Sequence, residues 1–157
     1  MLVLSVPDSI QQSSSGIIGN CFGANNVALA RRFLPIMTFF TIISCGLIGL
    51  IVIITRYPIN RYFSDDDEIV EMLARSQILY YALFVINGLQ SFLNGLIRSM
   101  GLQRKCVWVT LVTNWLLFIP LAYLFVLKMD MYLLGENLGY EICMFFGLVG
   151  NLYIVNN

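Results

Sequence analysis

Three side-chain amides recur inside a long uncharged stretch of the chain, at Asn87, Gln90 and Asn94. At the helical period they share one face, because residues three and four apart are neighbours on a helix. Lipid offers side-chain amides no hydrogen-bond partner, so this face either lines a substrate path or hydrogen-bonds neighbouring helices. Each hydrogen bond between helices contributes about 0.6 kcal/mol. Spacing alone favours the packing interpretation. Asn114, in the next uncharged stretch, has the same two alternatives.

Aromatic residues lie one and two helical turns before these amides, at Tyr80, Tyr81 and Phe84. Aromatic faces attract organic cations by roughly 0.5–2 kcal/mol, which makes Tyr81 a candidate for a substrate pathway. The alternative is an aromatic belt at the membrane interface, where tyrosines are enriched.

Glu141 is the only acid inside an apolar stretch long enough to cross a membrane. An acid within a membrane is a functional hypothesis by default, so Glu141 is our candidate for binding a coupling ion. It lies near the start of its stretch, where water is close. The acidic run from Asp65 to Glu68 lacks the spacing of a calcium loop and suits a solvated helix start.

Composition predicts an integral membrane protein. The chain has 157 residues, of which 59% are hydrophobic and 11% charged, whereas a soluble domain carries roughly 25% charged residues. A net charge of zero gives no basic footprint for nucleic acid. Histidine is absent, and the sequence contains no nucleophile paired with a base and no phosphate-binding loop, so nothing suggests catalysis. No cysteine pair suggests a metal site, and no motif suggests a cofactor. We therefore expect no enzyme activity.

The apolar stretches predict an all-α, polytopic bundle that forms a single transmembrane region over residues 1–157. A span needs about 20 apolar residues, and lipid admits only helices or closed barrels. The chain lacks the short alternating segments of a barrel. The predicted helices cover residues 7–23, 35–55, 76–97, 106–127 and 138–155. The first is too polar to face lipid on all sides.

Basic residues give a small preference for orientation. Five lie on the side of Arg31 and Arg98, and four on the other side. Because basic loops stay in the cytoplasm, we expect the first side and the C-terminus to be cytoplasmic. The membrane is that of the cell surface or of an internal organelle.

Three blocks of sequence resemble the multidrug and toxin extrusion (MATE) family. The first contains a proline, a Gly-Asn pair and the turn Gly23-Ala24-Asn25-Asn26, followed by a basic residue. The second is an aromatic-acidic loop from Phe63 to Ile69. The third has a glutamine, a Gly-x-x-Arg and a Gly-x-Gln, with a proline sixteen residues after the last basic position. The motif residues carried over are Pro7, Gly19, Asn20, Gly23, Arg98, Gly101, Gln103 and Pro120.

The resemblance is to helices 8 to 12 of a twelve-helix carrier, and thus to part of its second bundle. It implies export of organic cations, drugs or toxins in exchange for protons or sodium. A rocker-type carrier needs both bundles, so transport would also require the missing N-terminal half. Two alternatives stay open. One is a related carrier that flips lipid-linked sugars, and the other is a non-transporting four-helix membrane subunit or a relic.

The chain departs from the family pattern at three positions. Asn87 stands where the family usually has Glu or Asp, Ile17 where it commonly has arginine, and Thr110 where asparagine is expected. Asn87 keeps the polarity but cannot bind and release a proton. If the carrier is proton-coupled, its acid lies elsewhere.

Overall fold

All regular secondary structure in residues 5–156, the part described by the computed structural model, is helical. Two π-helical segments, Val112–Leu117 and Tyr123–Lys128, flank α6 and make Gln103–Lys128 one continuous helix. The predicted all-α membrane bundle is confirmed. The α-helices are α1 (Ser5–Gly23), α2 (Val27–Phe63), α3 (Asp67–Ala82), α4 (Phe84–Ser99), α5 (Gln103–Leu111), α6 (Phe118–Ala122) and α7 (Tyr132–Asn156).

Three helices are long and apolar enough to cross a membrane: α2, Gln103–Lys128 and α7. The pair α3 and α4 makes a fourth span if it is taken as one broken helix. α1 does not meet this standard, since its polar residues lower its hydropathy. It lies against α4 instead of standing alone in lipid, with Ile10, Ile18 and Phe92 among the shared core residues.

The helices extend beyond the apolar runs that predicted them. α2 begins at Val27, capped by the Asn26 side chain, which accepts a hydrogen bond from the Leu29 backbone N–H at 3.0 Å. α3 begins at Asp67, where the Asp66 side chain accepts from the Glu68 N–H at 2.9 Å. Capping residues and charged first turns are polar although they belong to the helix. The end of an apolar run therefore does not mark the end of the helix.

The predicted span 76–97 differs most, because it is divided between two helices that meet at 46°. Neither proline nor glycine stands at the break, which falls at Leu83. Next to it Phe84 is fully buried, and the Tyr81 carbonyl lies beside Gly49 of α2. A Cβ at Gly49 would lie 2.6 Å from that carbonyl oxygen, so tight packing on α2 accompanies the break.

α4 is the centre of the bundle and contacts α1, α2, α3, α5 and α7. By contrast, the backbones of α1 and α5 do not approach each other. The helix that extends from α5 is therefore covered on one side only, and a groove separates it from α1.

Acidic residues are unevenly distributed between the two ends of the bundle. We call the end with the turns 24–26 and 100–102 the basic end, and the opposite end, with the turns 64–66 and 129–131, the acidic end. Among residues 5–156, no acid lies at the basic end. Its five basic residues are Arg31, Arg32, Arg98, Arg104 and Lys105.

Candidate functional site

A cavity of about 270 Å³ lies inside the bundle, between α1, the α3–α4 pair, the helix extending from α5, and α7. We call it the polar cavity, because most of its lining side chains carry oxygen or nitrogen. None of its lining residues is basic. The polar lining residues are Asp8, Tyr80, Asn87, Gln90, Ser91, Asn94, Thr110, Thr113, Asn114 and Tyr140.

Four of the five predicted pathway residues meet here: Asn87, Gln90, Asn94 and Asn114. Tyr81 does not, since it packs with the core near α2, and Tyr80 lines the cavity instead. Tyr80 lies seven residues before Asn87, about two helical turns, whereas Tyr81 is about 100° further round the helix.

The predicted coupling residue Glu141 projects from α7 toward α4. The Asn87 side-chain Nδ2 donates to Glu141 Oε1 at 3.0 Å, and the Tyr140 hydroxyl donates to Asn87 Oδ1 at 3.2 Å. Glu141 is 3% exposed and Asn87 6% exposed. The second carboxyl oxygen, Oε2, is buried and has no hydrogen-bond partner. One carboxyl oxygen is thus held by Asn87, and the other has no hydrogen-bond partner.

Gln90 follows Asn87 by one turn and packs against α7 at Gly147. A Cβ at Gly147 would lie 2.6 Å from Gln90 Nε2, so the glycine leaves room for the glutamine side chain. Gln90 is 7% exposed and lines the polar cavity, yet its Oε1 has no partner. It is a second buried oxygen that could accept a hydrogen bond or coordinate a cation.

A second polar junction joins α4, α5 and α7. Asn151 Nδ2 donates to Asn94 Oδ1 at 2.7 Å, and the Cys106 thiol donates to the same oxygen at 3.1 Å. Asn151 is fully buried, and its own Oδ1 lacks a partner. Sequence reasoning missed Asn151, although an isolated amide in an apolar helix is a recognisable signal.

Sequence reasoning also missed Asp8, which lines the polar cavity from the first turns of α1. It is exposed, so it contributes a solvated negative charge at the mouth of the cavity. Pro7 precedes it, is buried, and lines the same cavity. Position 7 therefore lies at the site, at the beginning of the helix that carries Asp8.

The other motif residues lie mainly in turns and at helix ends. Gly23 ends α1, and the Asn20 carbonyl accepts from the Ala24 N–H in the turn that follows. The turn between α4 and α5 contains Gly101 at φ +74°, a conformation that glycine adopts without strain. Gly19 faces Ser99 of α4 at this same end.

Pro120 lies in α6 between the two π-helical segments. Proline has no N–H to continue an α-helical hydrogen-bond ladder, and here the flanking turns widen to π geometry. Arg98 and Gln103 line a neighbouring groove, which shares Asn94 and Thr110 with the polar cavity.

Asp8 is the one charged residue in the lining of the polar cavity, and most of the other lining side chains can form hydrogen bonds. Of the three buried side-chain oxygens without a hydrogen-bond partner in the described part of the chain, only that of Gln90 belongs to a lining residue, while those of Glu141 and Asn151 lie behind the lining. In residues 5–156, no three side chains of metal-binding type converge. The arrangement can donate and accept hydrogen bonds, and the negative charge of Asp8 favours a positively charged ligand.

Comparison with known proteins gives a consistent relationship. The MatE family model matches residues 1–124. The "Probable multidrug resistance protein NorM" of Bradyrhizobium diazoefficiens is 22% identical over 145 residues, which cover 90% of this chain and 31% of the relative. "Protein DETOXIFICATION 14" of Arabidopsis thaliana is 26% identical over 154 residues, or 97% of this chain and 32% of the relative.

The fold has a solved counterpart. The crystal structure of the eukaryotic MATE transporter AtDTX14 matches 99% of this chain with a TM-score of 0.82 at 24% identity, and the match covers 36% of that transporter. At this identity the likeness shows the fold alone. The chain spans about a third of the length of the curated relatives it matches.

Proposed function

From the premise that this chain belongs to the MatE family, we propose that it is part of an antiporter that exports organic cations, drugs or toxins in exchange for protons or sodium. The family is one of membrane transporters, not enzymes, and the apolar helices make this an integral membrane protein. The observation that carries the proposal is Glu141, a buried acid fixed by Asn87 beside a cavity without basic residues.

The cavity suits a cationic substrate for electrostatic reasons. Asp8 supplies negative charge at its mouth, while Tyr80, Phe84 and Tyr140 supply aromatic surface. Aromatic faces attract a desolvated organic cation by about 2 kcal/mol. An anionic substrate would be repelled by Asp8 and would find no basic side chain in the lining, which disfavours drugs of that class.

Glu141 is the candidate for coupling because its free oxygen can hold either a proton or a metal cation. A single carboxylate has one negative charge and cannot neutralise an exported cation and a coupling ion at the same time, so the binding of these two ions would be mutually exclusive. Competition of this kind is what exchange across a membrane requires. Asn87 keeps the carboxyl in position without adding a second charge.

We propose further that the basic end faces the cytoplasm, together with the C-terminus. Alternating access needs two bundles around a site near the middle of the membrane. This chain corresponds to about a third of its relatives' length, so transport would require further spans, whichever polypeptide supplies them.

The test is flux by the intact gene product in proteoliposomes. A fluorescent cation such as ethidium is loaded, and a proton or sodium gradient is imposed across the membrane. We expect gradient-driven ethidium movement, which Glu141→Gln should reduce by about tenfold or more, since it keeps the shape but removes the ionisable group. Glu136→Gln is the matched control, because Glu136 is an exposed acid on the same helix.

Each outcome has a defined meaning. Gradient-driven flux that survives Glu141→Gln would remove Glu141 as the coupling residue. Absence of cation flux, with transfer of a lipid-linked sugar in parallel liposomes, would replace the antiporter with a flippase. Absence of both would leave a packing subunit.

A further inference from the structure

One side-chain amide in the lining of the polar cavity has its oxygen and its nitrogen in different surroundings. Asn94 lies on α4, two helical turns after Asn87, and is partly buried. Its Oδ1 accepts two hydrogen bonds, from Asn151 Nδ2 at 2.7 Å and from the Cys106 thiol at 3.1 Å. Both donors are buried residues of neighbouring helices. The oxygen of Asn94 is therefore held in the junction between α4, α5 and α7.

The amide nitrogen of Asn94 is left for another partner. It donates no hydrogen bond within residues 5–156, and it is not one of the buried polar atoms there that lack a partner. Because the oxygen is committed to the junction, the N–H group is the part of this amide that a ligand in the cavity meets. An N–H group can only donate a hydrogen bond, so position 94 favours a ligand that carries an acceptor.

Asn151 determines which way the Asn94 amide faces. Asn151 is fully buried on α7, and its own Oδ1 has no partner. If both amides were turned over, Asn94 would donate to Asn151, and the buried NH₂ group of Asn151 would have no acceptor. An orphaned buried N–H group is rarer in proteins than an under-satisfied carbonyl oxygen. The Cys106 thiol would also have to act as an acceptor, which it does only weakly.

The rest of the cavity wall suits the positive charge of such a ligand. Asp8 is the charged residue of the lining, and Phe84 and Tyr140 are among its aromatic residues. Tyr140 is held at the level of Asn87 by their hydrogen bond, and Asn87 precedes Asn94 by about 10 Å along α4. The aromatic surface and the available N–H group are therefore separated along the cavity, so one elongated ligand can contact both.

We propose that Asn94 is a specificity-determining residue of the polar cavity, which selects organic cations that carry a hydrogen-bond acceptor, and that Asn151 is its positioning residue. A carbonyl or ether oxygen of the ligand accepts a hydrogen bond from Asn94 Nδ2, while the cationic group lies toward Asp8 and the aromatic side chains. This inference rests on the proposed function, because it states which organic cations the site takes. It concerns binding alone, so its test needs no ion gradient.

The test compares two tritiated cations, (4-acetylbenzyl)trimethylammonium and (4-isopropenylbenzyl)trimethylammonium. They share their charge, ring and shape, but the first has a carbonyl oxygen where the second has a methylene group. Binding of each probe to the intact gene product in detergent micelles is measured by equilibrium dialysis, and the readout is the ratio of the two dissociation constants. Because both probes carry one positive charge, their attraction to Asp8 cancels in this ratio.

We expect the acetyl probe to bind about fivefold more tightly than the isopropenyl probe, which is the effect of one neutral hydrogen bond. Asn94→Leu should abolish this preference, because it removes the donor. Asn94→Asp should abolish it as well, since this variant keeps an accepting oxygen for the junction and replaces only the N–H group. Asn151→Leu should also bring the ratio close to one, because the Asn94 amide is then free to turn.

Asn60→Leu is the matched control for these variants. It also removes a buried amide that forms hydrogen bonds between helices, but that amide joins α2 to α3 and does not line the cavity. A general loss of packing weakens the binding of both probes and leaves their ratio unchanged. We therefore expect Asn60→Leu to keep the preference for the acetyl probe, with circular dichroism as the measure of helical content in every variant.

Four results would overturn the inference. Equal binding of both probes by the unchanged protein would mean that position 94 presents no donor, and a preference for the isopropenyl probe would mean that an oxygen faces the ligand. A preference that survives both Asn94 variants would assign the donor to another residue, and one that survives Asn151→Leu would remove Asn151 as the positioning residue. These results leave the proposed function intact, whereas absence of binding of either probe would overturn both.

Discussion

The hydrogen bond between Asn87 and Glu141 joins the centre of α4 to α7, and its removal has a predictable asymmetry. Asn87→Leu eliminates two bonds, the one donated to Glu141 at 3.0 Å and the one accepted from Tyr140 at 3.2 Å. It also leaves Glu141, which is 3% exposed, without any partner. The double variant Asn87→Leu/Glu141→Leu removes the donor and the buried carboxyl together.

The magnitude follows from these losses. Two interhelical bonds at about 0.6 kcal/mol each give about 1.2 kcal/mol. Leaving a buried polar group unsatisfied adds about 1–3 kcal/mol. We therefore expect Asn87→Leu to lower the free energy of unfolding by about 2–4 kcal/mol. The double variant should lose less than the sum of the two single variants, with a coupling energy of about 1–2 kcal/mol.

The assay is reversible unfolding in mixed micelles, with sodium dodecyl sulfate as the denaturant and helical content by circular dichroism as the signal. Asn156→Leu at the exposed end of α7 is the control for adding an apolar side chain. Additive effects, with a coupling energy below about 0.3 kcal/mol, would refute the reasoning, because independent sites add to within that error.

The remaining predictions concern packing. Gly147→Ala should displace Gln90, lower stability by about 1–3 kcal/mol and weaken substrate binding in equilibrium dialysis, since a Cβ would overlap the amide. Gly16→Ala is its control, because a Cβ there meets nothing within 4 Å and should stabilise α1 by up to about 1 kcal/mol; equal effects at both positions would contradict the contact. Asn60→Leu should lower the free energy of unfolding by about 1–2 kcal/mol, since Asn60 and Gln77 exchange two hydrogen bonds at 3.1 and 3.0 Å between α2 and α3. An unchanged denaturation midpoint would refute this prediction.

The sequence predicted the bundle well because lipid makes hydropathy a direct signal. It predicted that Asn87, Gln90 and Asn94 share a face, since that follows from helical period alone, and these residues meet in one cavity. The choice of Tyr81 over Tyr80 neglected the same period. Seven residues return a helix to nearly the same face, whereas six do not.

What the sequence could not give was the partner of each polar group. Glu141 and Asn87 are 54 positions apart, and Asn151 and Asn94 are 57 apart. Local periodicity says which way a side chain points on its own helix and nothing about the helix opposite. The same limit hid Asp8, whose relevance depends on α1 lying against α4.

The break at Leu83 couples the bundle to the thickness of its bilayer. α3 and α4 have 16 residues each, so each is about 24 Å long, shorter than a hydrocarbon core of about 30 Å. If α4 runs along the membrane normal, a bend of 46° gives the pair a height of about 41 Å, against about 48 Å when straight. A thicker membrane would favour the straighter pair through hydrophobic mismatch. Lipid composition would thus change the position of Tyr80, which α3 contributes to the polar cavity.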